Sequence, residues 1–157
     1  MKGIFSVKVE NEDGVLSTIS GLFSRRGFNI NSLAVGETEQ EDMSSMTIVS
    51  TGDSRTIDQV EKQLNKKIGV IKVRRLEENS CVMMEMMLVK VSYSNSNRSS
   101  LIEICNIMGA KIKHINQKNM IIEIHDEPDQ IDNFIELIRC FGILELQRTG
   151  TIAMARG

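Results

Sequence analysis

Residues Phe5 to Leu33 of this chain recur as Met87 to Ile115, at a constant spacing of 82. Val7-Lys8-Val9 falls on Val89-Lys90-Val91, Ile19 on Leu101, Leu22 on Ile104, Phe23 on Cys105, Gly27 on Gly109 and Ile30 on Ile112. Toward the end of each half the spacing drops to 73, setting Gly69-Val70-Ile71 on Gly142-Ile143-Leu144 and Val73 on Leu146. The second half is therefore nine residues shorter between its second strand and its last. A repeat of this length is a duplicated domain, not a short solenoid unit. In a chain of 157 residues it predicts two domains, at 1–78 and 79–157. A domain that small buries only about 60% of its unfolded surface. Each half therefore gains by packing on the other or on a second copy.

The two halves read alike. Phe5, Val7 and Val9 alternate with polar residues, the signature of a strand with one buried face. Asn11-Glu12-Asp13-Gly14 breaks that pattern. Val15, Leu16, Ile19, Leu22 and Phe23 then follow helical spacing, with Asp13 expected as N-cap and Gly27 as helix stop. Strands are expected near Ile30–Val35 and Met43–Thr51, joined by an acidic hairpin over Gly36–Asp42. A second helix follows a cap at Asp53 or Ser54 and presents Ile57, Val60 and Leu64; Val70–Leu76 closes the half. The second half starts near Cys81. Its helices carry Leu101, Ile104, Cys105 and Met108, then Ile131, Phe134, Ile135 and Ile138, with Pro128 just inside the last one. Met120, Ile122 and Ile124 alternate in a strand between them. The fold class is α+β: tandem ferredoxin-like βαββαβ domains, each a four-stranded antiparallel sheet with two helices on one face. Met83, Met84, Met86 and Met87 fit either a sheet buried on both faces or a soft partner surface.

Composition narrows the function. The net charge of −2 opposes nucleic-acid binding, which needs a basic face. The basic cluster Lys66, Lys67, Lys72, Arg74 and Arg75 reads as a solvated end of a helix and strand. Cys81, Cys105 and Cys140 are odd in number and far apart, so no disulfide framework or metal motif is indicated. Reduced thiols suggest a cytoplasmic protein. No apolar run reaches membrane-spanning length. No nucleophile, metalloprotease or phosphate-loop motif is present, so the chain is not expected to be an enzyme and no catalytic residues are assigned. His114 and His125 lack ligand-like spacing, and no metal site is expected.

One loop is chemically suggestive. Asn11 to Leu16 joins the first strand to a helix N-terminus, whose free N–H groups and dipole favour an anion such as an amino acid carboxylate. Gly14 permits close approach. Asn11 offers a donor and an acceptor. Val15, Leu16 and Ile30 offer an apolar wall. In the second half Gly14 aligns with Ser96 and Asn11 with Tyr93, so that copy keeps the fold without the loop.

The loop resembles that of ACT domains, small-molecule sensors of amino acid metabolism. Val9-Glu10-Asn11, Gly14-Val15-Leu16, the run Gly21-Leu22-Phe23-Ser24-Arg25-Arg26-Gly27-Phe28-Asn29-Ile30-Asn31-Ser32-Leu33, and Met46-Thr47-Ile48 resemble the small regulatory subunits of acetolactate synthase (acetohydroxyacid synthase). Met87-Leu88-Val89-Lys90-Val91 and the ending from Arg148 to Gly157 are similar too. The resemblance spans the chain. It departs at Val82–Met86, where relatives often carry an acid and an arginine, and over Gly109–Asp132, where Lys111, Lys113 and Lys118 replace an acidic version.

The resemblance implies a non-catalytic subunit that pairs as a homodimer through its ACT domain and docks on a large catalytic subunit. That partner would carry thiamine diphosphate, a divalent metal and FAD; this chain would carry no cofactor. The enzyme makes the first common product of valine, leucine and isoleucine synthesis. The small subunit raises its activity and confers feedback inhibition, usually by valine. The implied effector residues are Asn11, Gly14, Val15 and Leu16 of one chain with Asn29 and Ile30 of its mate. Partner contact would fall to the second domain. The rival reading is an ACT-type regulator of another protein or of transcription, but the repeat leaves no room for a DNA-reading element.

Overall fold

The computed structural model describes residues 1–157. It contains two compact units, Met1–Met83 with Thr151–Gly157, and Met84–Gly150. The units thus part a few residues beyond the 78/79 boundary expected from the repeat, and the last seven residues belong to the first unit rather than the second.

The first unit runs β1 (Lys2–Glu10), α1 (Val15–Arg26), β2 (Asn29–Glu37), β3 (Met43–Thr51), α2 (Ser54–Asn65) and β4 (Val70–Leu76). Its sheet has the order β2-β3-β1-β4, with antiparallel pairings. Phe5, Val7 and Val9 alternate onto the helix side and pack with Met46 and Ile48 from β3, Ile19, Leu22 and Phe23 from α1, and Ile57, Val60 and Leu64 from α2. Burying each such side chain fully contributes ~1.5–3 kcal/mol. Helix α1 stops at Gly27, whose φ of 67° lets its N–H turn back to the Phe23 and Ser24 carbonyls. Helix α2 starts at Asp53, whose carboxylate accepts from the Thr56 N–H at 2.7 Å.

The expected Asp13 cap does not form. The residue at the N-cap of α1 is Gly14, with φ 87° and ψ −7°, and no side chain caps the helix. An L-residue resists that left-handed conformation. The chain turns into the helix one residue later than the capping pattern suggests.

A 3-10 turn over Glu78–Ser80 leads into β5 (Cys81–Ser92), whose first three residues still belong to the first unit. The end of the chain forms β9 (Ile152–Ala155), which pairs with β5. It lies on the side of the first sheet that the helices leave open. There Ala153 and Ala155 pack on a small second core of Ile4, Val49, Leu76 and Cys81. The Thr151 N–H donates to Ser32 Oγ at 2.7 Å, the Ala153 N–H to Thr47 Oγ1 at 3.3 Å, and the Arg156 N–H to the Ser80 carbonyl at 3.0 Å.

The second unit repeats the design with the rest of β5, α3 (Arg98–Met108), β6 (Lys111–Ile115), β7 (Asn119–Asp126), α4 (Pro128–Ile138) and β8 (Ile143–Arg148), in the order β6-β7-β5-β8. Met87, Val89 and Val91 face the helices and are buried, whereas Met86 and Leu88 are 39% and 42% exposed. The methionine run therefore has one open face within the chain; the reading with both faces buried does not hold.

Register locates the shortening. Met46 lies opposite Val7, and Ile122 lies opposite Val89, a spacing of 76. Six of the nine residues are thus missing from the β2–β3 hairpin, and β6 has five residues where β2 has nine. The repeat also preserves an ion pair. Arg75 Nη1 meets Asp58 Oδ1 at 2.9 Å, and Arg148 Nη1 meets Asp132 Oδ1 at 2.8 Å. The second unit adds Glu85, buried, which takes two further bonds from Arg148 at 2.6 and 2.9 Å. These bonds push the Arg148 guanidinium further up, against the pull of its partial burial.

Candidate functional site

The loop between β1 and α1 sits beside the turn between α2 and β4. The Glu10 N–H donates to the Gly69 carbonyl at 2.8 Å and holds the two together. Gly69 has φ 88°, and a Cβ there would come within 3.0 Å of Val15 Cγ2, so backbone and packing both demand glycine. Between the segments lies a cleft of about 480 Å³, lined by Glu10, Glu12, Asp13, Gly14, Val15, Thr18, Lys66, Lys67, Ile68 and Gly69.

The N-terminus of α1 opens into this cleft. The Gly14 carbonyl accepts from both the N–H and the hydroxyl of Thr18 at 2.9 Å, which fixes the first turn. No side chain satisfies the N–H groups of that turn. A Cβ on Gly14 would meet nothing within 4 Å, so the space beside it is open. Charge around the cleft is mixed. Lys66, Lys67 and the helix dipole attract an anion, while Glu10, Glu12 and Asp13 attract a cation. A zwitterion satisfies both.

The expected site residues separate into two groups. Asn11, Gly14, Val15 and Leu16 all fall at this end of the sheet, but only Gly14 and Val15 line the cleft. Asn11 is drawn to the β2–β3 hairpin: its Nδ2 donates to the Glu41 carbonyl at 3.1 Å and its N–H to the Asp42 carbonyl at 2.9 Å. Its Oδ1 remains available as an acceptor. Leu16 is 46% exposed, whereas Val15 is 9% exposed and packs mainly in the core. Asn29 and Ile30 are elsewhere. Asn29 lies opposite Thr51, which also faces Lys2 at the start of β1, whereas Glu10 at the end of β1 faces Met43. At ~3.3 Å per residue, Asn29 is roughly 26 Å along the sheet from the loop. One chain does not bring the two groups together.

Sequence reasoning missed Thr18, Lys66, Lys67, Ile68 and Gly69. Ile68 is 92% exposed, an apolar residue held out between a lysine and a glycine. The basic cluster is not one solvated patch. Lys66 and Lys67 enter the cleft, Arg75 pairs with Asp58, and Lys72 and Arg74 lie on the helix-free face of the sheet.

Among the other reactive groups, His114 and Cys140 are exposed, and the rest are engaged in packing or pairing. Cys105 is buried in the second core, and burial pushes its thiol up to about 11. Burial raises the Cys81 thiol as well. His125 Nδ1 lies 3.2 Å from Glu123 Oε1, and that hydrogen bond, helped by Lys113, holds the Glu123 carboxyl below the usual range. No group of three or more His, Cys, Asp or Glu side chains gathers as a metal site. No helix is long and apolar enough to cross a membrane.

Two family models match consecutive parts of the chain. One, described as an AHAS small subunit-like ACT domain, matches residues 5–72, and the other, described as the small subunit of acetolactate synthase, matches residues 84–157. The probable acetolactate synthase small subunit of Archaeoglobus fulgidus is 47% identical over 157 residues, covering 100% of this chain and 98% of that protein. The acetolactate synthase small subunit of Mycolicibacterium smegmatis is 42% identical over 152 residues, covering 97% and 89%. The crystal structure of the acetolactate synthase small subunit from Thermotoga maritima superposes with a TM-score of 0.91 at 34% identity, covering 100% of this chain and 98% of that one. With both family models matched in order and full-length relatives at this level of identity, the chain belongs to the acetolactate synthase small subunits and carries their ACT domain in its first half.

Proposed function

We propose that this chain raises the activity of the large, catalytic subunit of acetolactate synthase and makes that activity sensitive to valine, bound at the N-terminus of α1. The observation that carries the reading is the uncapped helix start at Gly14, open to a cleft of mixed charge. The valine carboxylate takes the free N–H groups, with Lys66 and Lys67 nearby. Its ammonium finds Glu10, Glu12 or Asp13, and Asn11 Oδ1 supplies a further acceptor. Leu16 and Ile68 offer apolar surface for the side chain. Thiamine diphosphate, a divalent metal and FAD belong to the catalytic partner in this scheme, and this chain contributes no group to the chemistry.

A second copy completes the site. β2 is an edge strand of nine residues, and an edge of that length pairs readily with another. Antiparallel pairing of two β2 strands about Leu33 sets Asn29 of each chain opposite Glu37 of the other. That register carries Asn29 and Ile30 from the far end of one sheet to the loop of its mate. The effector then binds where two chains meet, and it acts by favouring one arrangement of the pair over the one the catalytic subunit prefers. Such coupling is typically worth about 1–3 kcal/mol.

The test is reconstitution with the catalytic subunit of the same organism. Wild-type chain is expected to raise turnover of pyruvate and to lower it again as valine is added. Gly14→Asp should keep the activation and lose the response to valine. Activation with an unchanged valine response in Gly14→Asp would place the effector elsewhere, and absence of activation by the wild-type chain would reject the regulatory reading itself.

A further inference from the structure

The helix-free face of the first sheet carries charge that the effector cleft does not use. β1 and β4 set Lys8 directly opposite Lys72, and Ser6 opposite Arg74; on the other side Lys8 faces Ser45 of β3. Like charges placed opposite one another on a sheet destabilise it. Elsewhere in the unit, Lys2 pairs with Glu78 and Arg75 with Asp58, but neither Lys8 nor Lys72 has an acidic partner. Arg74 Nη2 donates to the Gly157 backbone oxygen at 2.9 Å, and the rest of its donor fork is free. The three cations and the side chains of Ser6 and Ser45 surround a cleft of about 290 Å³, walled on its apolar side by Leu76 and by Ala153, Met154 and Ala155 of β9. No Asp or Glu side chain lines it.

We propose that this cleft is a second ligand site, which takes a small anion of the phosphate or diphosphate class on Lys8, Lys72 and Arg74. A single carboxylate would leave two of the three cations uncompensated. A diphosphate carries enough charge for all three and enough acceptor oxygens for a guanidinium, two ammonium groups and two hydroxyls. The volume suits such a group and is too small for a length of polypeptide. Because β9 forms one wall, an anion here also holds the end of the chain on the sheet, and binding to the folded form raises stability. The site is chemically distinct from the α1 cleft, which has carboxylates on its rim.

The experiment is calorimetric titration of the full chain with sodium pyrophosphate, at an ionic strength held constant with chloride. Saturable binding is expected, weakened at least about tenfold by Lys8→Ala and by Lys72→Ala, and unchanged by Lys62→Ala, an exposed lysine on α2. Without anion, either substitution on the sheet should raise the melting temperature by relieving the repulsion, which also shows that the variants fold. Three results would overturn the proposal: no saturable heat with pyrophosphate, equal weakening by Lys62→Ala, or binding of a Glu-rich peptide in the absence of any pyrophosphate binding. Valine titrated in parallel should bind Lys72→Ala as it binds the wild type, so the outcome is independent of the effector site.

Discussion

The two units share a strand order and a helix face, yet they differ at the three places that decide whether a ferredoxin-like domain binds anything. The first is the loop before the first helix. Gly14 starts α1 in a left-handed turn with open space beside it, whereas the equivalent turn in the second unit has no glycine and bonds its own side chains, beside a cleft of about 690 Å³ lined by Tyr93, Asn95, Arg98, Ile115, Asn116 and Gln117. There Asn97 Oδ1 accepts from the Ser94 N–H at 2.7 Å, the Ser94 and Ser96 hydroxyls lie 2.9 Å apart, and the Tyr93 hydroxyl bonds the Asn116 carbonyl. The second is the edge strand. β2 has nine residues with Glu37 as its only charge, whereas β6 has five and carries Lys111 and Lys113. Short, lysine-bearing edges resist pairing. The third is the ion-pair staple. The second unit ties its sheet to α4 through Glu85, Arg148 and Asp132. At the position of Glu85 the first unit has Gly3, where any Cβ would fall within 3.0 Å of Ile57. Its β9 lies on the opposite, helix-free face of the sheet. In the proposed reading the first copy supplies the effector loop and the pairing edge, while the second has a self-bonded turn, a shorter edge and the added Glu85 bonds.

Removing what each unit relies on should separate them. Ending the chain after Gly150 strips β9 from Ile4, Val49 and Leu76 and removes its pairing with β5 and the bonds its N–H groups donate to Ser32, Thr47 and Ser80. The expected loss is roughly 2–4 kcal/mol from the first unit alone. Hydrogen exchange should accelerate across β1, β3 and β4 and stay unchanged in β7; uniform acceleration would mean the units do not respond separately. Glu85→Gln does the reverse. Breaking a buried pair commonly costs 3–5 kcal/mol, but Arg148 is about a third exposed and keeps Asp132, so about 2 kcal/mol is expected, confined to the second unit. Urea unfolding followed by exchange at β7 and α4 reads it directly.

A smaller effect is expected at the edge. Val35, 46% exposed on β2, becomes Asp in a variant that should weaken self-association at least about tenfold, seen by sedimentation equilibrium. Lys113→Asp on β6 should leave it alone. Equal effects at the two edges would remove the asymmetry on which the proposed dimer rests. The smallest effect belongs to Asp13→Ala. Because Gly14 is the N-cap and Asp13 bonds nothing in α1, stability should change by less than ~0.5 kcal/mol in thermal unfolding.

Much of this was legible in the residues. Alternation at Phe5, Val7 and Val9, helical spacing at Ile19, Leu22 and Phe23, and the caps at Asp53, Gly27 and Pro128 are local signals, and each matches an element of the structure. The strand order follows from the repeat because few topologies suit βαββαβ. What escaped is non-local. Nothing in Thr151–Gly157 marks it as the cover of a sheet more than seventy residues earlier, since its partners, Ser32, Thr47 and Ser80, are ordinary surface types in sequence. Lys66 and Lys67 read as a solvated helix end because only the Glu10–Gly69 bond brings them beside Gly14. Asp13 looked like a cap because capping preference ignores the left-handed turn that Gly14 makes available.

Calorimetric titration of the purified chain with valine bears most directly on the difference between the two loops. Replacing Gly14 strains a left-handed backbone but meets no neighbouring atom, so Gly14→Asp should fold and yet fill the carboxylate position with bulk and negative charge. Saturable valine binding is expected in the wild type, weakened about a hundredfold or more in Gly14→Asp and unaltered in Ser96→Asp at the matching turn of the second unit. Valine binding that survives Gly14→Asp, or that falls equally in Ser96→Asp, would contradict the assignment of the effector to the first unit's helix start.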